Sequence, residues 1–305
     1  MANQDDQLAL ADLDARIRAI LPEEYRDTYQ DVQPVSMGSA GLRYSSDGRV
    51  AWDLIWGSFC DLAMAGGPPH KGTLLEPGAP AEVAESRDRY NQVVEEICRG
   101  ITMTTNLVTH AAPDDGWIRV NCSNEAQSGW LLRAIVMENV AARSEGASLD
   151  LPAAPHFFLH KQIKNVVTVA AKTCHYWDGH MSRRQQQEIG GLLSGMSVDT
   201  PLITPDLSRA DDRDMQAAMA RAIETRTGMR ASPYRYAGWL GVHCGSVERA
   251  VWMMRALVVN NILARREDTT LFVPVNAAQD PGGEAVVNCL CRIHTLAQRQ
   301  FGSLR

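Results

Sequence analysis

The sequence predicts an α/β protein made of two similar strand-helix-strand units, packed with pseudo-twofold symmetry, with helices covering a small mixed sheet. Three observations predict it. The stretch Gly116–Pro152 recurs 122 positions later (238 − 116) as Gly238–Pro274, without a gap and with 14 of 37 positions identical. Each copy carries strand patterning, then helical patterning, then strand patterning. The similarity also continues on both sides of the copies. A long internal repeat marks one supersecondary unit used more than once.

Each copy opens with a strand-length run, Trp117–Cys122 and Trp239–Cys244, rich in residues that suit a pleated surface. Ser123, and Gly245-Ser246 in the second copy, supply helix-capping chemistry. Trp130, Ala134, Met137 and Ala141 then fall at helical spacing, as do Trp252, Ala256, Val259 and Leu263. Arg143, and Arg265-Arg266 in the second copy, are expected in the last helical turn, where the helix dipole favours cations. The second strand is Ala147–Leu151 or Thr269–Val273, each closed by proline. A crossover of this length predicts a parallel pair.

The flanking segments extend this pattern. Leu8–Leu21 is an amphipathic helix. Ser36–Gly41 is a small-residue loop, and Val50–Ala65 is apolar almost all round, predicting a buried helix that carries Asp53 and Asp61. Leu74–Pro77 resembles Leu202–Pro205 at an offset of 128 (202 − 74). Ala79–Ser86 reads as a linker, residues 90–104 and 212–227 as helices, and Ile163–Lys172 and Ala285–Gln298 as further helical runs. The predicted organisation is an N-terminal helix and irregular lead-in over 1–49, a first repeat unit over 50–180 and a second over 181–305.

Composition excludes several classes. The 30 Lys and Arg against 36 Asp and Glu leave a net charge of −6 with no basic stripe, which argues against a nucleic-acid binder. No apolar run approaches the length of a membrane span, so no membrane partner is expected. Seven scattered cysteines without a secretory signal predict reduced thiols in a cytoplasm.

Candidate chemistry lies in three places. The turn Gly66-Gly67-Pro68-Pro69-His70-Lys71-Gly72 presents a histidine and a lysine beside backbone N–H groups, which suits an anionic group. It has no His-Lys counterpart in the second unit, where Ser197–Pro201 stands. Cys122 and Cys244 occupy the same place in both copies, a strand end just before a helix N-terminus, where a thiol's pKa falls. Beside Cys244 stands His243, a general base at neutral pH. Between the copies lie His156, His160, Cys174, His175, Asp178 and His180, a set of side chains able to ligate a transition metal.

The leading expectation is a cytosolic enzyme acting on a small anionic metabolite at the junction of the two units. Lys71, Arg133, Gly66, Gly67 and Asp61 would bind it. His70, His175 or His243 would move protons, and Cys122 or Cys244 would act as nucleophile or contact. The first alternative handles a metal or metallocofactor through His156, His160, Cys174, His175 and His180. The second is a non-catalytic assembly subunit with an exposed patch at Trp177 or Tyr234–Tyr236. Homo-oligomerisation is compatible with all three, and the identity of any cofactor is open.

Overall fold

The computed structural model describes residues 4–29, 41–54, 61–208 and 212–302. The expected loop at Ser36–Gly41 lies outside them except for Gly41, and so does the middle of the expected helix, residues 55–60. The chain folds as two compact units. The first comprises Pro22–Glu24 and Thr28–Gly190; the second comprises Met1–Leu21, Tyr25–Asp27 and Gly191–Arg305. Among the described residues no helix is long and apolar enough to cross a membrane.

Helix α1 (Gln4–Ile20) belongs to the second unit and buries Leu13, Ile17 and Ile20. The first unit begins its regular structure differently from expectation. In place of one buried helix over 50–65, the described residues form two single 3-10 turns, Trp52–Leu54 and Ala63–Ala65. Asp53 is exposed and Asp61 half-buried, so neither is the buried carboxylate that an apolar helix would require. The supposed linker after Gly78 is a short helix, α2 (Pro80–Glu85), whose proline sits where a missing N–H costs nothing. Helix α3 (Arg87–Thr105) buries Tyr90, Val93, Val94, Ile97 and Ile101 and ends at Asn106, which adopts φ 59°.

Strands β1 (Thr109–Ala111) and β2 (Trp117–Asn121) follow. Helix α4 (Glu125–Met137) is capped by Asn124, one residue beyond the expected Ser123: its side-chain oxygen accepts from the Gln127 N–H at 2.9 Å, while Gln127 Oε1 accepts from the Ser123 N–H at 2.7 Å. Trp130 of α4 is fully buried, which is worth roughly 2–3 kcal/mol. It lies 5.6 Å from the ring of Trp177.

The crossover differs from expectation. Arg143 is not in the last turn of the helix. It opens a three-residue strand, β3 (Arg143–Glu145), which turns at Gly146 (φ 55°) into β4 (Ser148–Pro152). The sheet order is β1-β2-β4-β3, and every neighbouring pair is antiparallel. β4 is inserted between β2 and β3, so the expected parallel pair and mixed sheet are replaced by an antiparallel ladder. Ile118 pairs with Leu151 and Val120 with Leu149, which puts the apolar residues of both strands on one face. α3 packs on β1 and β2, α4 packs on β3 and β4, and α5 (Lys164–Gly179) packs against α3 and α4.

Helix α6 (Arg183–Asp199) contains the division between the units, at Gly190 and Gly191. In the second unit α7 (Arg213–Thr227) precedes β5 (Ala231–Tyr236), β6 (Trp239–His243), α8 (Val247–Val258), β7 (Arg265–Glu267), β8 (Thr270–Pro274) and α9 (Glu284–Phe301). Its sheet order is β5-β6-β8-β7, again antiparallel throughout. Leu240 pairs with Val273 and Val242 with Leu271. Here too the arginines expected at a helix end lie in a strand. Arg265 is fully buried, 2.7 Å from Glu267 and 4.0 Å from the ring centroid of Phe272.

In both units the segment that precedes the first helix of the repeat docks beyond α4 or α8 in the same way. Leu75 N–H donates to Asn139 O at 2.8 Å and Ala141 N–H to Leu75 O at 2.9 Å; Ile203 N–H donates to Asn261 O and Leu263 N–H to Ile203 O, both at 3.0 Å. Asn139 and Asn261 have φ of 61° and 59°. Asparagine tolerates this left-handed conformation, and it ends the helix in each unit.

Candidate functional site

The Gly66–Gly72 turn is shaped by close backbone approach. Gly66 has φ 102°, and a Cβ on Gly67 would collide with the carbonyl group of Asp61. Gly66 and Gly67 donate their N–H groups to Ala63 O and Leu62 O, and the N–H of His70 faces a carboxylate of the protein itself. The Glu138 carboxylate accepts from the Ala63 N–H at 2.9 Å and the His70 N–H at 2.8 Å. Lys172 Nζ lies 2.8 Å from the same carboxylate, and the two side chains are 1% and 0% exposed. Beside the pair, Lys71 N–H donates to Glu138 O at 3.3 Å, and Asn139 Nδ2 donates to Lys71 O at 2.8 Å. The turn is thus clamped onto the end of α4. A buried ion pair of this kind holds only where hydrogen bonds satisfy the remaining lone pairs, as they do here.

His70 and Lys71 sit at the edge of this clamp. His70 Nε2 is 3.0 Å from Asn165 Oδ1. Burial, with Lys172 adding its charge, lowers the His70 pKa to about 4, while Glu138 opposes the shift. Burial also lowers the Lys71 pKa, with Lys161 contributing. A depressed histidine pKa means the unfolded chain binds the proton first. Stability is therefore fully present above the ordinary value of about 6.5, falls as pH drops toward 4, and loses at most about 3 kcal/mol from this group. In a series of denaturation midpoints against pH, His70→Asn is expected to flatten this region of the curve.

The two strand-end cysteines are knitted into the backbone in the same way. Cys122 N–H donates to Ala147 O at 2.9 Å and Cys244 N–H to Thr269 O at 3.0 Å. Their thiols are not activated by the following helices. Burial pushes both up to about 12, and pushes Cys174 well above its ordinary value. The helix field is outweighed because a buried thiolate loses its hydration. At neutral pH the thiolate fraction of Cys122 and Cys244 falls to about 10⁻⁵. Their reaction with a disulfide reagent is expected to be about a thousandfold slower in the native protein than in denaturant. Mapping the labelled cysteines by mass spectrometry checks this.

The remaining candidates are divided between the two units. His243 is exposed, with Nδ1 3.2 Å from Thr270 Oγ1, and lies with Cys244 in the second unit. Cys122, His70, His175, Lys71 and Arg133 lie in the first. Arg133 is 3% exposed and donates to Gly129 O in its own helix; burial lowers its pKa to about 10. The expected metal set does not converge. His156 Nδ1 contacts Glu82 at 2.5 Å, His160 Nε2 contacts Tyr44 OH at 3.3 Å, and Cys174 is buried. His180 faces Glu24 and His175. Among the described residues no group of three or more His, Cys, Asp or Glu is placed to hold a metal ion. Trp177 is buried, so it carries no exposed patch. Tyr236 is half-buried, and the Tyr234 side chain lies outside the described residues.

One cavity has no signal in the sequence. A space of about 190 Å³ in the second unit is lined by α1 (Asp12, Leu13, Arg16), by Asn260 after α8, and by α9 (Cys289, Arg292, Ile293). Arg16 is held in place: Nε is 3.0 Å from Asp12, and Nη1 is 2.8 Å from Val259 O and 3.4 Å from Asn260 Oδ1. Arg292 is exposed. Burial raises the Cys289 pKa to about 11, with Arg292 and Arg16 pulling the other way. Asn260 stands where the first repeat has Glu138, and its Oδ1 accepts from Arg16 Nη1 at 3.4 Å. No protein-family model matches the chain, and neither a curated protein nor a solved structure matches it.

Proposed function

We propose that this protein binds a small anionic molecule in the cavity between α1 and α9. The observation that carries the reading is the pair Arg16 and Arg292 lining one cavity, with a single carboxylate, Asp12, against them. Guanidinium groups present fixed forks of donors that match carboxylate and phosphate oxygens. A space of this size equals about six waters, which suits a compact anion with a short apolar part resting on Leu13 and Ile293. The expected anionic ligand is therefore retained and its place moved from the Gly66–Gly72 turn, whose Gly66, Gly67, His70 and Lys71 N–H groups already donate within the protein. The reading is of binding and does not use the thiols of Cys122 and Cys244.

We also propose that the two units descend from one duplicated module. The sequence repeat, the common strand order, the matching pairs Ile118–Leu151 and Leu240–Val273, and the paired caps Asn139 and Asn261 support it. On this view one copy specialised its corner as a structural clamp and the other as a binding cavity.

The test is calorimetric titration of the full chain with small mono- and dicarboxylates and with inorganic phosphate, compared with Arg292→Glu. At least one anion is expected to bind, with at least tenfold loss in the variant and weakening by salt. Absence of binding across the panel, or equal binding by Arg292→Glu, overturns the reading.

A further inference from the structure

His175 and His180 end helix α5, and their Nε2 atoms face each other at 3.1 Å, with ring centroids 4.9 Å apart. His175 is exposed and His180 is 33% exposed at the side chain. Glu24, in the 3-10 turn Glu23–Tyr25, places a carboxylate oxygen 2.8 Å from His180 Nδ1. A carboxylate there accepts the Nδ1–H and fixes the tautomer, which leaves the Nε2 lone pair of His180 directed toward His175. This is the arrangement by which an outer carboxylate orients a metal-binding imidazole and raises its basicity.

Spacing makes the pair suited to an ion. Two nitrogens 3.1 Å apart subtend about 95–102° at an ion 2.0–2.1 Å from each. That angle lies between the octahedral and tetrahedral values. An ion would replace the one proton the two imidazoles share, and no backbone movement is needed to bring the nitrogens together. The charge of Asp178 also lies near His175 and adds to the local attraction for a cation.

We propose that His175 and His180 chelate a divalent transition-metal ion of the kind imidazole favours, zinc, copper(II) or nickel(II), with Glu24 as the outer-sphere carboxylate and water in the remaining positions. The site is an open surface chelate with two protein ligands. It differs from the set expected from sequence, since His156, His160 and Cys174 take no part in it. It is also independent of the anion cavity.

The experiment is titration of chelator-treated full-length protein, its accessible thiols alkylated under native conditions, with zinc chloride and separately with copper(II) sulfate, by calorimetry. One ion per chain is expected. His175→Ala and His180→Ala should each abolish that binding, and Glu24→Gln should weaken it by about 10- to 100-fold. All three positions are at least partly exposed, and unchanged thermal midpoints of the metal-free variants confirm that they fold. Zinc and copper both failing to bind stoichiometrically overturns the proposal. Binding that survives His180→Ala also overturns it, because the ion would then sit elsewhere.

Discussion

Glu138→Gln is expected to destabilise the first unit by about 3–5 kcal/mol, the usual cost of removing one partner from a buried ion pair. The substitution keeps the shape of the side chain and removes its charge. Lys172, 1% exposed, is then an ammonium ion in the interior without its carboxylate. The amide cannot serve both backbone donors either, since its NH₂ would meet the N–H of Ala63 or His70, each of which now donates to a carboxylate oxygen. Lys172→Met should cost a similar amount, because it strands the carboxylate. The double variant should cost less than the sum of the two, as a coupled pair requires. Denaturant unfolding of the four proteins measures the coupling. Amide exchange at Ala63 and His70 should accelerate selectively in Glu138→Gln as the turn loosens. Strict additivity in the cycle would show that the two charges do not stabilise each other.

Gly238→Ala is expected to cost about 2–5 kcal/mol, combining left-handed strain with overpacking. Gly238 has φ +69°, and a Cβ there would lie 2.7 Å from the backbone nitrogen of Asp206 and 2.8 Å from its oxygen. Neither atom can retreat easily. Asp206 N–H donates to Val275 O at 3.1 Å, and Val275 N–H donates to Gly238 O at 2.7 Å, so the three stretches of backbone are tied together. Gly116 repeats the situation in the first unit, with φ +89° and the Gly78 oxygen 2.5 Å from where a Cβ would sit. Gly228 is the control: its φ is +77°, yet nothing lies within 4 Å. Gly228→Ala should therefore show the conformational cost alone, about 1–2 kcal/mol. Thermal and denaturant midpoints of the three variants separate clash from strain. Equal losses at Gly228 and Gly238 would show that the close backbone approach contributes nothing.

Both predictions rest on residues that the sequence made visible to different degrees. Gly116 and Gly238 open the two repeats, so their shared role was legible from the alignment of the chain with itself. Glu138 was visible as the carboxylate that becomes Asn260 in the second copy, and the His-Lys turn as a feature of one copy only. That these two asymmetries are one feature was not visible. Lys172 lies 34 positions beyond Glu138 (172 − 138) in a helical run of mostly apolar residues, and nothing local marks it as a partner.

The strand reversal was hidden for a different reason. Arg143–Glu145 is three residues long, too short for period-two patterning to declare itself, and its arginine suits a helix C-terminus equally well. Yet that short strand turns the chain back and makes the ladder antiparallel. Asn139 and Asn261 were the available signal, since asparagine beyond the last apolar turn marks a helix stop. The thiols of Cys122 and Cys244 failed expectation because helix fields can be read from position in sequence, whereas burial cannot.

By itself the sequence determined the repeated unit, the strand and helix cores of each copy, and the glycine and asparagine positions where the backbone turns. These follow from local periodicity and conformational preference, which act between near neighbours. Tertiary structure alone decided the antiparallel order, the Glu138–Lys172 clamp, the approach of His175 to His180 with Glu24 beside them, and the α1–α9 cavity. Arg16 meets Val259 across 243 positions of chain. Such contacts depend on which surfaces exclude water together, and that is a property of the packed whole.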